Sequence, residues 1–95
     1  MRADLALAFG QVIQRLREER GWSQEQLAEH SERSRNLIGR FEQGRSQPTL
    51  ESLWDVAHAL GTKPSELIRL AEEQLTRNRR SRSTPRRKPG RPIGS

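Results

Sequence analysis

Apolar residues recur every three or four positions along the first 75 residues, as they do on the buried face of an α-helix. The periodicity falls into segments at residues 4–20, 24–30, 34–43, 49–60 and 64–75, and none of them alternates in the manner of a β-strand. The pattern therefore predicts an all-α fold of five helices, with one domain over residues 1–75.

Residues between these segments carry the signals that begin and end helices. Ser23 and Gln26 form a capping box before the second helix, with Trp22 and Leu27 as its hydrophobic staple. The other predicted signals are Asp4, Ser34 and Thr49 as N-caps, Pro64 in a first turn, and Gly21, Gly44 and Gly61 at helix ends. Inside the first helix, Gly10 costs about 1 kcal/mol relative to alanine, and close contact with another helix would account for it.

Charge is divided unevenly along the chain. Of the 18 Lys and Arg residues, eight lie in residues 76–95, which contain none of the 12 Asp and Glu residues. Apolar periodicity also ends there, so we expect residues 76–95 to be a disordered Arg-rich tail that binds a polyanion, or that only keeps the protein soluble. The chain has no cysteine, no signal-peptide pattern and no apolar run of about 20 residues, which favours a cytoplasmic protein without a membrane span.

The second and third predicted helices are short, and only Ser31-Glu32-Arg33 separates them. Two short helices joined by such a turn are typical of the helix-turn-helix, whose second helix enters the major groove of DNA. If Ile38 and Phe41 face inward, the outward positions are Arg35, Asn36, Gly39, Arg40 and Gln43. Arginine pairs well with guanine and asparagine with adenine, so this face suits base contacts.

These residues also resemble a known family. The stretches 16–24, 26–28, 41–44, 48–50 and 57–61 are similar to those of the phage repressor and Cro type of helix-turn-helix protein, the XRE family, in register over about residues 9–67. The resemblance implies a lambda-repressor-like DNA-binding domain with its motif at about residues 24–43. The chain departs from the family at Glu32 and Arg33, where glycine and an apolar residue are usual. A positive φ at Glu32 would cost about 1 kcal/mol.

The resemblance assigns roles to single residues. It implies base contacts by Arg35, Asn36 and Arg40, and a structural ion pair between Arg17 and Glu42. The predicted contacts to the DNA backbone are Gln24, Ser34, Gln43 and Arg45, with an ordinary loop cation as the alternative for Arg45. Leu37 either touches a thymine methyl or belongs to the core, which its spacing favours. Gly39 either admits the DNA close to the backbone or is simply tolerated.

The tail segment Arg87-Lys88-Pro89-Gly90-Arg91-Pro92 resembles the AT-hook, a minor-groove element built around Arg-Gly-Arg-Pro. Its Gly-Arg-Pro core is present, whereas Pro89 replaces the first arginine. A narrow AT-rich minor groove attracts arginine, so Arg87, Lys88, Gly90 and Arg91 are predicted minor-groove contacts. The alternative is a generic polycation that binds phosphates.

The expected partner is double-stranded DNA. A homodimer is expected as well, because one subunit contacts only a few base pairs. Candidate dimer contacts are Trp54 and the face formed by Leu67, Ile68, Ala71 and Leu75, unless these residues close the monomer core.

The predicted function is sequence-specific regulation of transcription. The alternatives are a nucleoid-associated architectural protein, a restriction–modification controller protein and an antitoxin. An enzyme is not expected, because His30 and His58 lack partners at metal-ligand spacing and the serines lack a nucleophile–base pattern. No cofactor, metal or small-molecule effector is expected either.

Overall fold

The computed structural model describes residues 2–83. Its helices are α1 (Ala3–Glu19), α2 (Gln24–Ser31), α3 (Arg35–Glu42), α4 (Leu50–Ala59) and α5 (Pro64–Ser83). The described residues contain no strand, so the predicted five-helix, all-α fold is confirmed. The predicted minor-groove contacts Arg87, Lys88, Gly90 and Arg91, and the predicted disorder of residues 84–95, lie outside the described residues.

Side chains cap three of the helices as the sequence predicts. The Ser23 hydroxyl accepts a hydrogen bond from the backbone N–H of Gln26 at 3.1 Å, and the side-chain oxygen of Gln26 accepts one from the backbone N–H of Ser23 at 2.8 Å. Ser34 caps α3 and Thr49 caps α4 through their side-chain oxygens. Since each cap satisfies backbone N–H groups that have no partner in the helix, these short helices have defined starts.

The predicted cap at Asp4 is wrong. Helix α1 begins one residue earlier, at Ala3, and Arg2 occupies the cap position without a side-chain cap bond. Asp4 therefore lies in the first turn, where its carboxylate accepts hydrogen bonds from Arg2 and Arg79, each at 3.1 Å. The hydrogen bond from Arg79 lowers the pKa of the Asp4 carboxyl below its ordinary value of 3.8.

Helices α1 and α3 cross in close contact within the core. The rings of Phe9 and Phe41 meet edge to face with their centroids 5.8 Å apart. A Cβ atom on Gly10 would lie 1.9 Å from the carbonyl oxygen of Phe41, so the close helix contact expected at this glycine is present. Around this crossing pack the buried side chains of Val12, Ile13, Leu27, Ile38, Leu53, Val56, Leu60 and Leu67.

Helix α5 is longer than predicted. It continues through residues 76–83, which we expected to be disordered, past the predicted end at Leu75. The predicted start of the tail is therefore too early. The extension is held by polar contacts with α1, including a hydrogen bond of 2.7 Å from the Asn78 amide to the Gln11 side-chain oxygen. Apolar periodicity cannot reveal a helix that is held by polar partners.

Two of the candidate dimer contacts belong to the monomer core. Leu67 is fully buried and Ala71 is 4% exposed, which favours the interpretation that this face closes the core. Ile68 and Trp54 are 47% and 56% exposed. No helix among the described residues is long and apolar enough to cross a membrane.

Candidate nucleic-acid interface

The turn between α2 and α3 contains the strained residue that the sequence predicts. Glu32 adopts φ 58° and ψ 36°, a left-handed conformation that costs a non-glycine residue about 1 kcal/mol. The next residue, Arg33, donates its backbone N–H to the carbonyl of Ala28 at 3.0 Å. Its guanidinium forms an ion pair with Asp55 of α4. The arginine that departs from the family pattern thus ties the turn to the domain.

Helix α3 has one buried face and one polar face. Ile38 and Phe41 are buried, and Leu37 packs partly buried against the core, in agreement with the core interpretation of its spacing. The opposite face carries the exposed side chains of Arg35, Asn36, Arg40 and Gln43. A helix with this division can rest on the domain while its polar face contacts base edges.

The start of α2 and the outer face of α3 line one open depression, formed by Gln24, Arg35, Asn36, Gly39, Arg40 and Gln43. It brings together all the predicted base-contacting residues and two of the predicted backbone contacts. The other two, Ser34 and Arg45, are exposed at the N-terminal end of α3 and just beyond its C-terminal end. Five of the seven predicted base and backbone contacts therefore lie together in this depression, and the other two flank α3.

Gly39 lies at the middle of this depression. A Cβ atom there would meet only the Gln24 side-chain oxygen, at 3.7 Å, which is an ordinary van der Waals contact. Packing within the protein therefore does not require glycine at this position, in contrast to Gly10.

Beneath the depression, Arg17 and Glu42 form the ion pair that the resemblance implies. The guanidinium Nε and Nη2 atoms donate to the two carboxylate oxygens at 2.6 and 3.0 Å, in the bidentate geometry typical of strong pairs. Arg17 also donates to the carbonyl of Trp22 at 2.6 Å. The hydrogen bonds to Glu42 raise the pKa of the Arg17 guanidinium above its ordinary value. The pair joins α1, the start of α2 and the end of α3.

Two hydrogen bonds of the predicted site residues have partners that the sequence does not identify. The Gln24 amide donates to Glu42 Oε1 at 3.0 Å, so Gln24 connects the depression to the buried ion pair. The Arg40 guanidinium donates to the Ser46 hydroxyl at 3.0 Å, which directs this side chain toward the loop after α3. Neither contact can be predicted from the neighbouring sequence, because each depends on the position of another helix or loop.

The histidines occur in aromatic contacts. His30 is exposed and its ring stacks on Trp22 with centroids 4.2 Å apart, while the ring centroids of His58 and Trp54 lie 5.1 Å apart. Among residues 2–83, no group of three or more His, Cys, Asp or Glu side chains is placed to hold a metal ion.

Residues 8–70 match the family described as "Helix-turn-helix domain". The HTH-type transcriptional regulator SutR of Escherichia coli K12 is 35% identical over 65 residues, which cover 68% of this chain and 36% of SutR. The uncharacterized HTH-type transcriptional regulator y4dJ of Sinorhizobium fredii is 34% identical over 70 residues, 74% of this chain and 91% of y4dJ. The immunity repressor protein of Bacillus phage phi105 is 39% identical over 69 residues, 73% of this chain and 46% of the repressor. The chain thus spans less than half the length of SutR and of the phage repressor.

Solved structures share the fold. The clp gene regulator ClgR from Corynebacterium glutamicum superposes with a TM-score of 0.77 and 27% identity, covering 82% of this chain and 83% of ClgR. The restriction–modification controller protein C.AhdI from Aeromonas hydrophila superposes with a TM-score of 0.65 and 39% identity, covering 70% of this chain and 98% of C.AhdI. The chain is therefore a member of the helix-turn-helix family of DNA-binding transcriptional regulators, of the phage repressor and Cro type that its sequence resembles.

Proposed function

We propose that the protein is a sequence-specific regulator that binds the major groove of DNA with α3. The observation that carries this proposal is the exposed polar face of α3 at the depression. The side chains of Arg35 and Asn36 are exposed and make no hydrogen bond or ion pair among the described residues, so their donors and acceptors are available to base edges. In this proposal Arg35 and Arg40 contact guanine and Asn36 contacts adenine.

The residues at the rim of the depression would bind phosphates. Gln24 and Ser34 lie at the N-terminal ends of α2 and α3, where free backbone N–H groups favour an anion. Gln43 and Arg45 lie at the other end of α3. Phosphates held at both ends would fix the height and angle of α3 in the groove, which is how backbone contacts position a protein without selecting bases.

A homodimer on an inverted repeat is part of the proposal. Trp54 of α4 and Ile68 of α5 are the exposed large apolar side chains among the dimer candidates. Burial of such side chains is what stabilises an isologous interface. Sedimentation of the full chain against Trp54→Ser tests this part, because the variant should shift toward the monomer mass at equal concentration.

As to cellular role, we place the protein in the cytoplasm on double-stranded DNA, acting by binding and not by catalysis. A second candidate role is control of a restriction–modification system, which the 39% identity to C.AhdI over nearly its whole length favours. The two roles differ in the genes that carry the binding site, since a controller would occupy the promoter of a nuclease or of its own gene.

The test is selection of binding sites from random duplexes by the full chain, followed by affinity measurements. A recovered motif, bound at least about 1,000-fold more tightly than random DNA, would support sequence-specific binding. Arg35→Ala and Asn36→Ala should each cost about 1–3 kcal/mol and relax the preference at one base pair. Lys63→Ala is the matched control, because Lys63 is an exposed cation outside the depression.

Binding without a recovered motif, or equal losses for Arg35→Ala and Lys63→Ala, would contradict the proposal. The first result would indicate the architectural alternative, in which general attraction to DNA dominates over recognition of bases.

A further inference from the structure

The end of α5 is attached to α1 by a chain of polar contacts, here called the α1–α5 clasp and made of Asp4, Gln11, Arg15, Gln74, Asn78 and Arg79. Arg15 donates to the Gln74 side-chain oxygen at 3.3 Å, and the Gln74 amide donates to Asn78 at 3.0 Å. The Asn78 amide in turn donates to Gln11 at 2.7 Å. The side-chain amides of Gln74 and Asn78 each accept one hydrogen bond and donate the next, so these hydrogen bonds polarise one another.

The clasp also contains an ion-paired group in which the Asp4 carboxylate contacts two arginines. Asp4 Oδ2 accepts from both Arg2 and Arg79 at 3.1 Å. The Asp4 side chain is 23% exposed, whereas the side chains of Arg2 and Arg79 are 68% and 50% exposed. The carboxylate of Asp4 therefore orients two guanidinium groups that are more exposed than itself. The three side chains together carry a net positive charge.

Helix α1 connects the clasp to the loop that follows α3. Residue Leu7, one helical turn after Asp4, packs against the loop that follows α3. A Cβ atom on Gly44 would lie 2.9 Å from the Cα atom of Leu7, and Gly44 has a φ of +72°. Leu7 also lines an open groove with Arg2, Asp4, Gln11 and Asn78. The clasp therefore borders the loop that carries Arg45, a proposed phosphate contact.

We propose that the clasp extends the DNA-binding surface beyond α3, by holding Arg79 and Arg2 where they bind phosphates just outside the base pairs that α3 contacts. The inference rests on the proposed function of α3. In this arrangement Asp4 positions the arginines and the phosphates of duplex DNA are their ligand.

The experiment uses the full chain and the duplex recovered by selection, either cut flush with the selected base pairs or extended by about ten base pairs on each side. Each phosphate contact steepens the decrease of log K with log[salt] by about 0.9, and it is worth about eightfold in affinity at 0.1 M salt. Arg79→Ala should therefore lose about eightfold on the extended duplex and little on the flush one. Arg69→Ala is the control, because Arg69 lies on the same helix with a side chain 52% exposed and pairs with Glu66 and Glu73.

A second variant separates positioning from charge. Asn78→Ala removes the bond to Gln11 without changing the net charge, and it should also weaken binding to the extended duplex. Gln14→Ala is its control, since Gln14 is exposed on α1 and bonds only to Glu18 among its described hydrogen bonds. Gln11→Ala removes the same interhelical bond from the other side, which covers the case in which Asn78→Ala does not fold.

Three results would overturn the inference. Equal losses for Arg79→Ala and Arg69→Ala would show that Arg79 contacts no phosphate. A loss for Arg79→Ala with no loss for Asn78→Ala or Gln11→Ala would show that the clasp does not position it. Failure to recover any binding site would overturn the proposed function and this inference together, whereas the first two results leave the proposed function intact.

Discussion

Replacement of Glu42 by alanine tests how the domain holds its DNA-contacting helix. The Glu42 side chain is 4% exposed and faces the Arg17 guanidinium, whose side chain is 10% exposed. Both carboxylate oxygens accept from Arg17, and Oε1 also accepts from Gln24. Glu42→Ala would remove all these acceptors and leave the buried arginine with only the exposed Glu18 carboxylate, 3.9 Å away, as a counter-charge.

The expected loss of stability follows from that burial. Removal of one partner of a buried pair costs about 3–5 kcal/mol, because the remaining charge is desolvated and unpaired. A domain of this size shifts its Tm by about 4–8 °C for each kcal/mol. We therefore expect Glu42→Ala to lower the Tm by at least about 12 °C.

Thermal unfolding followed by circular dichroism measures this, with Glu18→Ala as the control. Glu18 lies 3.9 Å from the same guanidinium, but its side chain is 60% exposed. Exposed pairs contribute about 0–1 kcal/mol, so this variant should unfold close to the wild-type Tm. Equal Tm values for Glu42→Ala and the wild type, or equal shifts for the two variants, would refute the reasoning.

Three further substitutions test local features of the fold. Gly10→Ala should destabilise the domain by about 3 kcal/mol in denaturant titration, because its Cβ would lie 1.9 Å from the Phe41 carbonyl oxygen, and an unchanged midpoint would contradict this contact. Glu32→Gly should raise the Tm by a few degrees by relieving about 1 kcal/mol of strain at φ 58°, and a lowered Tm would contradict the strain. Gly39→Ala should raise stability by up to about 1 kcal/mol through helix propensity. A loss of DNA affinity in that variant indicates close approach of the DNA backbone, whereas unchanged affinity indicates that the glycine is merely tolerated.

Much of the fold is encoded in short stretches of the chain. Ser23, Ser34 and Thr49 cap the helices that the sequence assigns to them. Gly21, Gly44 and Gly61 have the positive φ expected just after a helix. Caps and glycine conformations depend on backbone groups within about four residues, so they can be predicted without knowledge of the tertiary structure.

The division of α3 into a buried and an outward face was also predictable from the sequence. Periodicity along α3 separates Ile38 and Phe41 from the outward residues, and family resemblance adds the Arg17–Glu42 pair. The clearest wrong prediction from local sequence concerns Asp4, a residue type that commonly caps helices. Its carboxylate instead binds Arg79, which is 75 positions away in the chain.

By itself, the sequence determined the helices, the turn at Glu32 and the face of α3 that points outward, because each of these depends on neighbours along the chain. Only the tertiary structure decided that α5 continues to Ser83, that Gln24 bonds to Glu42 and that the end of α5 bonds to α1. These features rest on polar contacts between distant segments, such as Asn78 with Gln11, 67 positions apart. A polar side chain gives no periodic signal of burial, so its partner becomes visible only once the helices are packed.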